Sequence, residues 1–177
     1  TRGEAVQGVF YLLGCAQKKL GPDTDAFRDV SRYAMPLFLA GKYFNPGLMK
    51  PEEGHATFLA VVTAIDGGFG YKTKEVYDPV YGAIHGITLC LRKELDKSVV
   101  KLLDFEPGAS IATIVHKTFY ELLYSDKQLA AGYSDGKRWT LITKPELLDR
   151  EKERVALKGK KVLITGGGRG LGALFSR

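Results

Sequence analysis

Thr57–Ile65 (TFLAVVTAI) is apolar at nearly every position. A strand with one wet face alternates apolar and polar residues, so this unbroken run is expected to be covered on both faces. Strands of that kind belong to parallel sheets, which need helical crossovers. The chain supplies both parts. Val6–Leu13 (VQGVFYLL) and Val99–Phe105 (VVKLLDF) are two further buried-strand runs, and helical periods occupy Asp23–Tyr43, Tyr81–Leu95 and Ala109–Tyr124. Pro22 and Asp23 mark the start of the first helix, with Phe27, Val30, Ala34, Leu37 and Phe38 along its apolar face. Pro36 inside it predicts a kink or a break. Asp66-Gly67-Gly68-Phe69-Gly70 ends the central strand. Later, Ala131–Ser134 and Lys137–Thr143 flank Asp135-Gly136, a dipeptide suited to a two-residue hairpin turn. The expectation is a three-layer α/β fold with a mostly parallel sheet and a C-terminal β-hairpin.

Composition narrows the function classes. The 177 residues are enough for one globular domain with a sizeable core. No apolar stretch reaches the roughly 18 residues that span a bilayer, and no basic-then-apolar signal segment opens the chain. No membrane association and a cytoplasmic setting are therefore expected. Cys15 and Cys90 lie outside any metal-ligand spacing and read as reduced buried thiols. His55, His85 and His116 are scattered, so no metal site is expected. The net charge of +6 is spread along the chain without interleaved aromatics, which argues against nucleic acid as a partner. A mildly basic face toward an acidic protein is the sharper alternative to a merely solvated surface.

Near its end the chain carries Val162-Leu163-Ile164-Thr165-Gly166-Gly167-Gly168-Arg169-Gly170-Leu171-Gly172, followed by Ala-Leu-Phe. Four residues from Val162 to Thr165, then a glycine-rich turn, then an apolar helical start, read as strand, loop and helix. Glycines there let backbone N–H groups approach a diphosphate, and a helix N-terminus favours its charge. Thr165, Gly166, Gly167, Gly168, Arg169, Gly170, Leu171 and Gly172 are the candidate cofactor-binding residues. The spacing Thr-Gly-x-x-x-Gly-x-Gly after such a strand resembles the cofactor loop of the short-chain dehydrogenase/reductase family. A loop of this kind ordinarily opens a domain, yet here it stands at the end. The chain is accordingly expected to be a fragment cut at both ends.

The same resemblance extends upstream. Val6–Ala16 is similar to the reductase strand that ends in an Asn-Ala-Gly turn, with Gly14-Cys15-Ala16 in its place. Thr57–Gly70 resembles the strand that carries the catalytic serine, but Ala64-Ile65-Asp66 stands there. Tyr81–Leu95 (YGAIHGITLCLRKEL) resembles the active-site helix with its Tyr-x-x-x-Lys, except that His85 replaces the lysine. Asp78 to Pro107 and the Asp-Gly hairpin at Gly132–Ile142 are similar to the catalytically empty structural subdomain of ketoreductase domains in polyketide and multidomain fatty acid synthases. Lys158–Gly172 (KGKKVLITGGGRGLG) resembles the opening of the catalytic subdomain that follows it.

The resemblance implies three segments. Residues 1–143 would be a truncated Rossmann-like structural subdomain without catalytic residues, 144–160 a charged linker, and 161–177 the first strand and cofactor loop of the catalytic subdomain. It implies NADPH as cofactor, with Arg169 placed to pair with the 2′-phosphate. The implied partners are the catalytic subdomain of the same chain and an acyl carrier protein bearing a β-ketoacyl group. Two pairs mimic the catalytic motif. Tyr133 and Lys137 have its spacing, but the intervening Asp-Gly turn would send them along opposite strands. Tyr81 and His85 fit one helical turn, but a largely neutral imidazole lowers a tyrosine pKa poorly. A self-standing nucleotide-binding reductase-like protein with an atypical site stays open as the alternative.

Overall fold

The computed structural model describes residues 6–16, 20–21, 24–53, 55–124, 128–147 and 158–175. The chain forms two compact units, Thr1–Ile142 and Thr143–Arg177. In the first unit, five strands form one sheet in the order of the chain: β1 (Gly8–Gly14), β2 (Thr57–Thr63), β3 (Ser98–Phe105), β4 (Ala130–Ser134) and β5 (Lys137–Trp139). β1 to β4 are parallel, and β5 returns antiparallel to β4. The result is the expected α/β class, a mostly parallel, Rossmann-like sheet closed by a hairpin. Asp135 and Gly136 both take positive φ, 52° and 69°, as a turn matching the strand twist requires.

Period-two burial assigns the two faces. Tyr11, Leu59, Val61, Val100 and Leu102 point to one side, where they meet Leu37 and Leu48 of helix α2 (Met35–Leu48) and Ile84 and Leu91 of helix α3 (Val80–Glu94). Val62, Leu103, Phe105 and Tyr133 point to the other, where helix α4 (Ile111–Leu123) contributes Ile114. All three crossovers step the same way across the sheet, yet α4 lies on the face opposite α2 and α3. The sheet therefore contains both hands of crossover, although one hand accounts for about 98% of such connections.

The first helical region departs from the simple period. A short helix α1 (Ala26–Asp29) is capped by Asp25, whose carboxylate accepts the Arg28 N–H at 3.1 Å. A π-helical turn, Val30–Ala34, follows and α2 begins with Pro36 in its first turn. The wider turn sits where the proline ring would collide with the preceding carbonyls, so the predicted kink takes the form of a π-turn. Of the apolar face read from the sequence, Ala34 and Leu37 enter the core, whereas Phe27, Val30 and Phe38 are exposed and Asp29 is buried in their stead. The expected helix start, residues 22–23, lies outside the described residues. Cys90 on α3 is exposed and Cys15, just after β1, is only half-buried, so neither is the fully buried thiol expected. Among the described residues no helix is long and apolar enough to cross a membrane.

The second unit holds a six-residue helix, α5 (Gly170–Phe175), after a turn at residues 165–168. The expected strand over 161–165 is not formed: residues 161–164 pair with no strand, and Leu163 is 91% exposed. A strand is stable only with partners for its N–H and C=O groups, and the described residues supply none. The middle of the expected linker, 148–157, lies outside the described residues.

Candidate functional site

In open α/β sheets ligands bind beyond the carboxyl ends of the strands. Here that region is built around two carboxylates. Asp104, fully buried near the end of β3, accepts the N–H groups of Ile65 at 2.9 Å, Phe69 at 2.8 Å and Asp66 at 3.4 Å, and the Thr63 hydroxyl at 2.8 Å. Burial pushes its pKa above the ordinary value, and these hydrogen bonds oppose that shift. Asp66 accepts from Gly68 at 2.7 Å and Gly70 at 2.9 Å through one oxygen, and from Lys72 at 2.9 Å and Thr73 at 3.2 Å through the other. The 66–73 loop is thus wound around its own first side chain.

The loop also closes on the sheet. A Cβ on Gly67 would lie 2.2 Å from the Tyr133 carbonyl oxygen, and one on Gly132 would lie 2.2 Å from the Gly67 oxygen. Backbone therefore touches backbone, and the loop plugs the carboxyl ends of β3 and β4. The Lys72 ammonium pins the far end, donating to Asp135 at 2.7 Å and to the Ser134 hydroxyl, and lying 4.6 Å from the Trp139 ring centre.

Tyr81 and His85 lie beside this plug. They sit one turn apart on α3, but the buried Tyr81 hydroxyl donates to the Ala16 carbonyl at the end of β1. His85 packs edge-on against Phe69, with ring centres 5.6 Å apart. Its Nε2 is buried without a hydrogen-bond partner, and burial lowers its pKa to about 4. The imidazole therefore stays neutral near pH 7 and does not act on the tyrosine.

The other mimic is separated by the hairpin, as the Asp-Gly turn requires. Tyr133 and Lys137 stand on β4 and β5, and Tyr133 stacks on Phe105 with ring centres 5.5 Å apart. Its hydroxyl donates to Glu121, a carboxylate buried on α4, and burial together with that carboxylate raises its pKa. Arg138 holds Glu121 through two bonds, 2.6 and 3.1 Å, and the Lys101 ammonium is 3.6 Å away. This cluster ties α4 to the sheet and leaves the tyrosine no role as an acid. Among the described residues no group of His, Cys, Asp and Glu is placed to hold a metal ion.

The candidate cofactor residues belong to the second unit. Thr165, Gly166, Gly167 and Gly168 form the turn, exposed Arg169 follows, and Gly170, Leu171 and Gly172 begin α5. Gly166 and Gly170 take φ of 71° and 56°, which other residues adopt at a cost. A Cβ on Gly172 would lie 2.3 Å from the Gly166 oxygen, so helix start and turn approach closely only because Gly172 has no side chain. Arg169 N–H to Gly166 O and Ala173 N–H to Arg169 O, each 3.4 Å, close the turn. Such a compact glycine turn, with no carboxylate between Thr165 and Gly172, fits an anionic group.

Sequence reading missed Asp66, Lys101, Asp104 and Glu121. A signal existed for each strand residue: Lys101 and Asp104 are charges inside an apolar run, which is tolerated only with buried partners. Nothing local revealed which partners those were.

Comparison with known proteins adds a short stretch of similarity. Two uncharacterized oxidoreductases, from two strains of Staphylococcus epidermidis, are each 40% identical to this chain over 63 residues. That is 36% of this chain and 26% of each relative, so the chain spans about a quarter of the proteins it matches. No family model matches the chain. No solved structure matches it either.

Proposed function

We propose that this chain is the structural, non-catalytic portion of an NADPH-dependent β-ketoacyl-[acyl carrier protein] reductase from a polyketide or fatty acid synthase. The observation that carries the reading is the plugged carboxyl end of the sheet. The 66–73 loop covers the carboxyl ends of β3 and β4, and Tyr81 is committed to the Ala16 carbonyl. A reductase-like sheet closed in this way supports a neighbour and does no chemistry. The similarity to oxidoreductases supports the general class.

In this reading the Thr165–Gly172 turn belongs to the adjoining catalytic subdomain. Gly166, Gly167 and Gly168 would lie against the diphosphate of NADPH, and Arg169 would pair with its 2′-phosphate. NADPH would supply the hydride. The proton donor and its lysine would come from that subdomain, and the acyl carrier protein would present the ketone.

The tests separate these statements. The purified chain, mixed with NADPH and a β-ketoacyl thioester, is expected to oxidise no NADPH above the buffer control. A rate that vanishes in Tyr81→Phe would refute the structural role. Calorimetric titration is expected to show no NADPH binding tighter than about millimolar, or roughly 4 kcal/mol. α5 is far below the roughly 12–15 residues at which an isolated helix is even marginal. Micromolar binding lost in Gly170→Val would favour the self-standing nucleotide-binding alternative. A serine and a Tyr-x-x-x-Lys at reductase spacing in the gene beyond Arg177 would support the proposed class.

A further inference from the structure

The 66–73 loop is built largely from its own parts. The Asp66 carboxylate takes the N–H groups of Gly68, Gly70, Lys72 and Thr73, so these bonds belong to the loop alone. Two fastenings tie the loop beyond its root to the rest of the first unit. At the outer end Lys72 pairs with Asp135, whose side chain is 73% exposed, and an open pair of that kind holds little. At the inner end Phe69 gives its N–H to Asp104 and lays its buried ring edge-on against His85.

Phe69 is held there against its preference. Its φ of 61° lies in the left-handed region, where a bulky side chain crowds its own backbone. Strain of this sort persists only while the surroundings enforce it. Those surroundings contain one misfit: among the described residues, no group bonds to the buried His85 Nε2. A neutral imidazole bears this as one unmade hydrogen bond, whereas an imidazolium would be a buried charge without an anion. The titratable groups of the neighbouring elements give it no help. Tyr81, one turn earlier on α3, is spent on the Ala16 carbonyl, and Lys72 is itself a cation. Asp66 and Asp104 are taken up by backbone N–H groups. Burial lowers the histidine pKa to about 4, and no carboxylate offsets it.

When the ring takes a proton, one side of the His85–Phe69 contact must yield. α3 is anchored in the core by Tyr81, Ile84 and Leu91. The loop is fastened by one strained residue and one exposed pair. We infer that the 66–73 loop is an acid-released lid: protonation of His85 frees Phe69 and opens the loop while the sheet beneath stays folded. The carboxyl ends of β3 and β4, covered near neutral pH, then meet solvent.

Hydrogen exchange of the purified chain tests this, read by mass spectrometry and corrected for the intrinsic rate at each pH. From about pH 7 to about pH 5, protection of residues 66–73 is expected to fall roughly twentyfold. That factor follows from an imidazole of ordinary pKa 6.5 with the lid open and about 4 with it closed. β2 and β3 should keep their protection over the same range. His85→Leu, neutral at every pH, should abolish the fall, and His85→Gln takes its place if circular dichroism shows the leucine variant misfolded. A fall shared equally by loop and strands overturns the inference, because the histidine would then titrate only on global unfolding. So does a fall of the same size in the variant, which would belong to Asp104, or loop protection that does not change with pH.

Discussion

Two glycine-rich loops follow apolar runs in this chain, and they solve the same problem in opposite ways. Both bring several backbone N–H groups into one small volume. In Asp66–Gly70 those donors are met from within, by the Asp66 and Asp104 carboxylates. In Thr165–Gly172 the segment carries no carboxylate, and its one charge is the Arg169 cation. A loop that brings its own anion becomes a structural plug. A loop without one keeps the chemistry of an anion site, which is the role proposed for it. Glycine content alone does not separate the two cases, whereas the sign of the neighbouring charge does.

The contrast is most easily broken at Asp104. Asp104→Ala should strand the buried N–H groups of Ile65 and Phe69 and cost about 3–5 kcal/mol, on the scale of a buried charged network losing one member. Urea denaturation followed by circular dichroism reads this directly. A loss below 1 kcal/mol, on the order of one ordinary hydrogen bond, would show that the plug is not held by its carboxylate.

The next effect is in pH. The His85 pKa falls from 6.5 to about 4 on folding, so the unfolded chain binds its proton more readily. Stability is then fully present above pH 6.5 and is lost as pH falls toward 4, by about 3 kcal/mol at 1.4 kcal/mol per unit. Asp104 has the opposite sign: its raised pKa favours the folded state in acid, and that contribution fades as pH rises above its ordinary 3.8. Comparison of the chain with His85→Gln isolates the histidine. The variant should show a flatter acid limb, and parallel curves would count against burial of the imidazole beside Phe69.

Smaller effects sharpen the picture. Tyr81→Phe removes one bond, to the Ala16 carbonyl, and should lower stability by about 1 kcal/mol, with no change in NADPH oxidation. Lys72→Ala releases the exposed end of the plug and should shift the urea midpoint less than Tyr81→Phe does, because its Asp135 partner is open to solvent and salt screens the pair. Gly170→Val should leave the midpoint of the first unit where it is, since residue 170 belongs to the second. A matching shift in both units would erase the distinction drawn between the loops.

The amino-acid order determined the class of fold. Thr57–Thr63 and Ser98–Phe105 could only be covered strands, Asp135-Gly136 could only turn tightly, and Ser110 caps α4 through the Thr113 N–H at 3.1 Å. These are local facts, set by period, φ and near neighbours. The meaning of the charges was not local. Asp104 meets residues 35 to 41 positions away, Glu121 meets Lys101 and Arg138, and the Tyr81 hydroxyl finds a carbonyl 65 positions upstream. The run at 161–164 shows the converse: an apolar sequence suited to a strand forms none without a neighbour to bond. Sequence sets what each segment prefers. Only the tertiary structure decides which buried donor meets which acceptor, because that pairing joins residues far apart along the chain.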